Sequence, residues 1–166
     1  CASCASHLKN GYLKLFENDS QMIEKARQFA EKVMPFSAFA HDVLKLAPMS
    51  FKKEPIKTTY HAPCHLCRGL EIREAPHALI KAAGLSFRPA DEEETCCGFG
   101  GTYSSKFPKI SAEILNRKLD DAEKTGADLL VTECPGCIMQ LRGGAKKRVH
   151  QLRVKHLAEV LIQNMK

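Results

Sequence analysis

Tryptophan is absent from this sequence, and aromatic residues make up only 7% of its 166 positions. Long hydrophobic runs are also missing, because charged residues break every apolar stretch well before the eighteen or so positions that a membrane-spanning helix needs. The first residues, starting at Cys1, form neither a basic leader nor an apolar segment of signal-peptide length. We therefore expect a soluble, cytoplasmic domain, and we interpret the chain as a piece cut from a longer protein.

An excess of acidic charge is lacking too. The net charge is +6, and basic residues concentrate between Arg142 and Lys155. A basic face can bind nucleic acid, but no aromatic residues are interleaved with the basic ones here. Charge runs of this kind are usually solvated faces, so we expect no nucleic-acid partner.

Cysteine, in contrast, is abundant, with eight residues. A chain of this length buries about 70% of the surface that its unfolded form exposes, so disulfides are not needed to hold it together. Clustered cysteines in a medium-sized cytosolic domain more often indicate metal or redox chemistry than a disulfide framework.

Short β-rich segments alternate with helical ones in the second part of the sequence. The pattern predicts strands over 56–61, 85–88, 129–132 and 149–154. The intervening helices include one opened by Pro76 and one over 108–125 closed by Gly126, and a last helix follows over 156–165. Strands separated by helices favour parallel pairing, so we expect an α/β fold with an open, mostly parallel sheet and helices on both faces.

The segment before the first strand has a different pattern. We expect a short loop over 1–7, an amphipathic helix from Asp19 or Ser20 to Pro35, and a second helix that starts at Ser37. Residues 49–55 then read as a linker.

Five of the cysteines follow the predicted strands directly. We call them the motif cysteines: Cys64, Cys96, Cys97, Cys134 and Cys137. Their spacing is C-x31-C-C-x36-C-x2-C. Ligands of open α/β sheets bind beyond the carboxyl ends of the strands, so we expect three cysteine-bearing loops to meet at that edge. Thiolates are the standard ligands of iron–sulfur clusters, and two adjacent thiolates can reach different irons of one cluster.

Glycines accompany the motif cysteines. Gly98, Gly100 and Gly101 follow the adjacent pair, and Gly136 lies inside the Cys-Pro-Gly-Cys segment at the start of a predicted helix. Glycine lets the backbone approach closely and point amide groups at sulfur, which lowers the cost of concentrating negative charge. We therefore include these four glycines in the predicted cofactor site.

Other readings of the same residues remain open. A structural zinc ion also takes four sulfur ligands. Cys134 and Cys137 alone could form a thioredoxin-like redox pair, although this leaves the Cys96–Cys97 pair without a role. His61 and His65 lie close to cysteines, but a histidine in such a place is more often a hydrogen-bond partner than a ligand.

The motif cysteines resemble one complete motif of the CCG-type cysteine-rich domain family. This family includes the cysteine-rich component of heterodisulfide reductase and the iron–sulfur subunits of glycolate oxidase and of the lactate-utilisation system. The segments Tyr60-His61-Ala62-Pro63-Cys64-His65 and Cys96-Cys97-Gly98-Phe99-Gly100-Gly101 are most similar to the lactate and glycolate branch. Cys1 and Cys4 resemble the closing C-x-x-C of a preceding copy. We therefore expect residues 1–50 to be the remnant of one repeat with its helices, and residues 51–166 to be a complete domain.

The resemblance implies a [4Fe-4S] cluster, of a non-cubane kind in the reductase, held by all five motif cysteines. It also implies electron transfer between a flavin or ferredoxin-like subunit and a quinone or other carrier, inside a 2-hydroxy-acid oxidoreductase at or near the cytoplasmic face of a membrane. Heterodisulfide-type disulfide cleavage and a zinc-stabilised interaction domain are the alternatives. The chain by itself is not expected to be catalytic. Cys67 is an extra cysteine that the motif does not include.

Overall fold

A computed structural model describes residues 1–52 and 55–166. It confirms the expected fold class, because the chain forms an α/β structure around an entirely parallel four-stranded sheet. The strands are β1 (Lys57–Tyr60), β2 (Ser86–Phe87), β3 (Leu129–Thr132) and β4 (Arg153–His156). Their order across the sheet is β2-β1-β3-β4.

Helices precede, separate and follow the strands. The helices are α1 (Ala2–Ser6), α2 (Tyr12–Leu15), α3 (Ile23–Lys32), α4 (Phe36–Ala38), α5 (Cys64–Cys67), α6 (Glu74–Ala82), α7 (Tyr103–Lys106), α8 (Pro108–Lys124), α9 (Pro135–Ala145) and α10 (Leu157–Asn164). Two π-helical turns extend this set, one over His7–Gly11 between α1 and α2 and one over Phe39–Val43 after α4. Within the described residues, every helix is too short or too polar to cross a membrane.

The central strand β3 shows why both faces of the sheet are covered. Successive side chains of a strand point to opposite faces. Leu129 and Val131 join the apolar cluster that includes Leu79 of α6 and Val160 of α10. Leu130 points the other way, into the cluster formed with α8 and α9. All four residues of β3 are buried, which is the pattern of a parallel strand with helices on both sides.

Several predicted boundaries shift. Residues 1–7 do not form a loop, because Ala2–Ser6 is helical and the amide of Ala2 donates to the carbonyl of Glu133 at 3.1 Å. Asp19 accepts from the amide of Gln21 at 3.0 Å as a cap would, but α3 begins only at Ile23.

The fourth strand also lies later than predicted, at Arg153–His156 instead of 149–154. The sequence reading counted Val149 as a strand residue, whereas its side chain is fully exposed. The register is set by β3, because Leu130 pairs with Val154 in the parallel ladder. His156 then caps α10, with its Nδ1 accepting from the amide of Ala158 at 3.1 Å, so the last helix starts at Leu157.

The predicted linker over 49–55 is in part structured, and its residues 53 and 54 lie outside the described residues. Pro48–Ser50 forms a 3-10 turn, and Phe51 forms an antiparallel bridge with Met165. Phe51 is buried in the same apolar cluster as Leu79, so this segment packs on the sheet domain. The division at residues 50 and 51 stays a prediction.

Candidate metal centre

The carboxyl edge of the sheet brings the motif cysteines together, as the sequence predicts. Cys64 is the first residue of α5, which follows β1. Cys96 and Cys97 lie in the loop between β2 and α7, and Cys134 directly precedes α9, with Cys137 in its first turn. The three loops come from three strands that lie side by side in the sheet.

The five thiols lie in one continuous line of interacting neighbours, which we call the thiol arc. It runs from Cys64 to Cys96, Cys97, Cys137 and Cys134. All eight cysteines of the chain are free thiols. Within the arc, Cys97, Cys134 and Cys137 are buried, whereas Cys64 and Cys96 are partly exposed. The arc therefore has a buried end and an end that reaches solvent.

The charges on the arc are unevenly divided in the metal-free protein. The hydrogen bond from Cys137 lowers the pKa of the Cys134 thiol to about 4, against the opposing effect of burial. The hydrogen bonds from Cys64 and Cys97 likewise lower the pKa of Cys96. The pKa values of Cys64 and Cys137 are raised, mainly by the hydrogen bonds that they donate to those neighbours and by burial. Sulfur atoms this close cannot all be thiolates unless a cation compensates them.

Backbone amides also face the arc. The amide of Gly98 donates to Cys96 Sγ at 3.3 Å, and the amides of Gly136 and Cys137 hydrogen-bond the Cys134 sulfur at the start of α9. A helix N-terminus favours thiolate over thiol. The structure therefore has amide donors at two of the predicted glycines.

These two glycines cannot be replaced without strain. Gly98 has φ +85°, and a Cβ there would lie 2.6 Å from the carbonyl oxygen of Ser111. At Gly136 a Cβ would lie 2.7 Å from the ring of Phe99. Gly100 and Gly101 also have positive φ, which fits a tight loop after the cysteine pair. Ser111 anchors this loop, since its hydroxyl donates to the carbonyl of Gly98 at 2.8 Å.

Two cationic side chains lie near the arc. Arg68 donates to Cys64 Sγ at 3.6 Å and to the carbonyl of Glu94 at 2.7 Å. Lys118 is buried and donates to the carbonyl of Glu93 at 2.9 Å. These bonds hold the acidic segment 91–94 against the site. The segment, with Arg68 and Arg117, lines a cleft of about 880 Å³ that reaches Cys96.

His61 is the residue that sequence reasoning undervalued. It lies one position past β1 and is fully buried, and neither ring nitrogen makes a well-aligned hydrogen bond to a described residue, although the backbone of Glu93 lies nearby. One ring nitrogen and the sulfurs of Cys97 and Cys137 lie within 4.8 Å of one another. Burial, followed by the nearby charge of Lys118, lowers the pKa of His61 to about 3, so its imidazole is neutral. Its position at the carboxyl end of a strand was the signal that could have placed it in the site.

Ser3 was not recognised in the sequence at all. Its hydroxyl lies 3.3 Å from Cys134 Sγ and 3.2 Å from Nδ1 of His65. No sequence pattern indicates this contact, because it depends on how α1 packs against the loop before α9. Cys1 and Cys4, on either side of Ser3, are exposed and lie outside the arc.

Cys67 also lies outside the arc. It is buried, and its thiol faces the carbonyl oxygens of Ala62 and Cys64 at 4.0 Å. It belongs to the apolar cluster under α6 and α10, where it packs as a small apolar residue.

The donor set of the site fits a thiophilic metal. Five sulfurs, a neutral imidazole and several amide donors converge on one partly buried edge, while negative charge on the sulfurs is only partly compensated. Soft thiolates select iron–sulfur clusters, zinc and copper(I) over magnesium or calcium.

Comparison with known proteins agrees with this geometry. A family model of the CCG cysteine-rich domain matches residues 58–142, and the chain belongs to this family. Among its relatives, lactate utilization protein A of Geobacillus sp. (strain WCH70) is 38% identical over 160 residues, which are 96% of this chain and 66% of the relative. The protein of the same name from Exiguobacterium sp. (strain ATCC BAA-1283 / AT1b) is 36% identical over 165 residues, or 99% of this chain and 66% of the relative. The chain thus spans just under two thirds of the length of these relatives.

Proposed function

We propose that this chain is an iron–sulfur module of a lactate-utilisation system and transfers electrons inside an oxidoreductase complex. The thiol arc is the observation that supports this proposal most strongly. Five neighbouring thiols provide more sulfur than one structural zinc ion requires, and the relatives described above are named for lactate utilisation.

The motif cysteines would hold the cluster, of the [4Fe-4S] type, and the bound cluster would supply one-electron chemistry. The protein's own contribution is to stabilise negative charge. The amides of Gly98, Gly136 and Cys137 donate to ligand sulfurs, and Arg68 adds a positive charge beside Cys64. Hydrogen bonds to the sulfurs and the exposure of the site are the features by which a protein sets a cluster potential.

The partly exposed end of the arc is the side on which we place electron exchange. Cys64 and Cys96 are more accessible than the other three ligands, and the cleft beside Cys96 has arginines and acidic residues in its wall. A flavin or ferredoxin-like subunit that binds over this cleft would come closest to the cluster. A quinone at the cytoplasmic face of a membrane is the electron acceptor or donor that we infer for the complex.

Cys1 and Cys4 belong, in this proposal, to a preceding copy of the motif, so that residues 1–50 are its remnant and residues 51–166 the complete domain. The contact of Ser3 with Cys134 supports this arrangement. It would place one C-x-x-C segment directly against the second site.

The proposal is tested by anaerobic reconstitution of the chain with iron and sulfide. We expect about four irons and four sulfides per chain, and a paramagnetic signal in one oxidation state. If the chain binds zinc and never iron, and holds no sulfide, the proposal that it carries an iron–sulfur cluster is contradicted. An intact cluster that exchanges no electrons with a flavin or ferredoxin donor would contradict the electron-transfer role alone.

A further inference from the structure

We propose that His61 is a metal ligand, and that with Cys97 and Cys137 it forms a mixed nitrogen–sulfur site for a single divalent transition-metal ion. This site lies at the buried end of the thiol arc. It shares two cysteines with the proposed cluster, so the two occupants exclude each other. The inference does not rest on the cluster, and it concerns the protein when no cluster is bound.

The burial of His61 is the first argument. Its side chain is fully buried, and neither ring nitrogen makes a well-aligned hydrogen bond in the part of the chain that the structure describes, although the backbone of Glu93 lies close enough to affect the ring's pKa. A neutral imidazole has one donor and one acceptor nitrogen. Leaving such groups unpaired in the interior is unfavourable, because they lose their hydrogen bonds to water. A metal ion bound at one nitrogen removes part of that cost.

The distances are the second argument. One His61 nitrogen and the sulfurs of Cys97 and Cys137 lie within 4.8 Å of one another. Zinc binds nitrogen at about 2.0–2.1 Å and sulfur at about 2.3 Å, which places tetrahedral ligand atoms roughly 3.5–3.8 Å apart. The three atoms therefore need to move closer by about 1.3 Å at most, which is within the range of small side-chain rotations.

Charge balance is the third argument. A divalent ion bound by two thiolates and one neutral imidazole has no net charge, which suits a buried position. The sulfurs of Cys96 and Cys134 lie next in the arc on either side of the two cysteine ligands. Either one can complete a tetrahedron, and the amides that face both sulfurs then offset the extra negative charge.

The ligand type favours zinc, cobalt(II) or iron(II). Imidazole and thiolate together suit these ions, whereas magnesium and calcium prefer oxygen ligands. Cobalt(II) is the useful probe because its visible d–d bands report tetrahedral geometry and change with the mixture of nitrogen and sulfur ligands.

The test is a cobalt(II) titration of the reduced, metal-free chain under anaerobic conditions, with the wild type, His61→Leu and the control His41→Leu. His41 is exposed, its ring hydrogen-bonds the neighbouring Asp42, and it is not part of the three-residue group. We expect His61→Leu to weaken cobalt binding by about 100-fold, given that removal of even an outer-shell partner costs 10- to 100-fold, and to shift the d–d bands. His41→Leu should leave both unchanged.

An unchanged cobalt spectrum and affinity in His61→Leu would overturn the inference. Should that variant not fold, X-ray absorption of the zinc-loaded wild type decides the question without a substitution. Outer-shell scattering from one imidazole supports the site, and a sulfur-only shell refutes it.

Cluster reconstitution of His61→Leu separates this inference from the proposed function. If His61→Leu has lost the cobalt signature but still binds four irons, the mixed nitrogen–sulfur site and the proposed cluster are both supported. A wild type that binds cobalt through His61 but never accepts a cluster refutes the proposed function and leaves the mixed site intact.

Discussion

Replacement of Gly136 by alanine should destabilise the protein, although glycine-to-alanine changes inside helices usually stabilise. The new Cβ would lie 2.7 and 2.8 Å from two ring atoms of Phe99, and real contacts of this kind are not that short. Overpacking of this type costs about 1–3 kcal/mol, whereas the gain in helix propensity is about 0.5–1 kcal/mol. We expect a net loss of up to about 2.5 kcal/mol.

Gly143 provides the matched control in the same helix. It is exposed, and a Cβ there would meet nothing within 4 Å. Gly143→Ala should therefore stabilise by about 0.5–1 kcal/mol. The two variants differ in sign, and a change of 1 kcal/mol moves Tm by about 2–4 °C in a chain of this size.

Thermal and urea unfolding of the metal-free chain measure both effects. If Gly136→Ala were as stable as Gly143→Ala, the close packing of Phe99 against the start of α9 would be refuted. The amide of Gly136 faces Cys134, so a displaced helix start should also weaken metal binding in Gly136→Ala and leave it unchanged in Gly143→Ala.

Three further predictions concern the core, the metal-free state and the thiols. Leu130→Ala, at a side chain 1% exposed in the centre of the sheet, should cost about 2–5 kcal/mol in urea unfolding, and a loss below 1 kcal/mol would contradict the packing of α8 and α9 on β3. Chelation should leave a cooperative thermal transition, because the apolar cluster on one sheet face contains no motif cysteine and the cluster on the other face also holds aliphatic side chains of β3, α8 and α9. A chelated chain without a transition would behave like a zinc finger, whose metal contributes about 10–16 kcal/mol. Brief alkylation of the metal-free chain at about pH 6 should modify Cys96 before Cys64, since the thiolate is the nucleophile and the pKa is lowered in Cys96 and raised in Cys64. Peptide mass spectrometry checks the order, and preferential labelling of Cys64 would refute the assigned charge distribution.

The sheet and the convergence of the motif cysteines were accessible from the sequence. The segment Leu129–Thr132 is apolar throughout its first three residues and is followed closely by cysteine. Such a segment indicates a strand buried on both faces, and parallel strands then place their following loops at one edge. This reasoning needs only local patterns, and for this reason it predicted where the five cysteines would meet.

The features that the sequence did not predict depend on tertiary packing. The fourth strand was placed too early because Val149 is β-branched, whereas the ladder with β3 fixes the register through Val154. Ser3 reaches Cys134 only because α1 packs on the loop before α9. His61 differs from an ordinary core histidine in lacking a well-aligned hydrogen-bond partner among the described residues and in lying beside two cysteine sulfurs, and neither feature is visible in a sequence.

Serine substitution of the cysteines, one at a time, tests the central claim most directly. The protein variants are reconstituted anaerobically, and the cluster is followed by electron paramagnetic resonance and iron content. A change at any motif cysteine should alter or abolish the signal, whereas Cys67→Ser should retain it, because the Cys67 thiol faces carbonyl oxygens in the core. Loss of the signal in Cys67→Ser with retention in Cys64→Ser, or silence of all six substitutions, would contradict the proposal that the thiol arc holds the cluster.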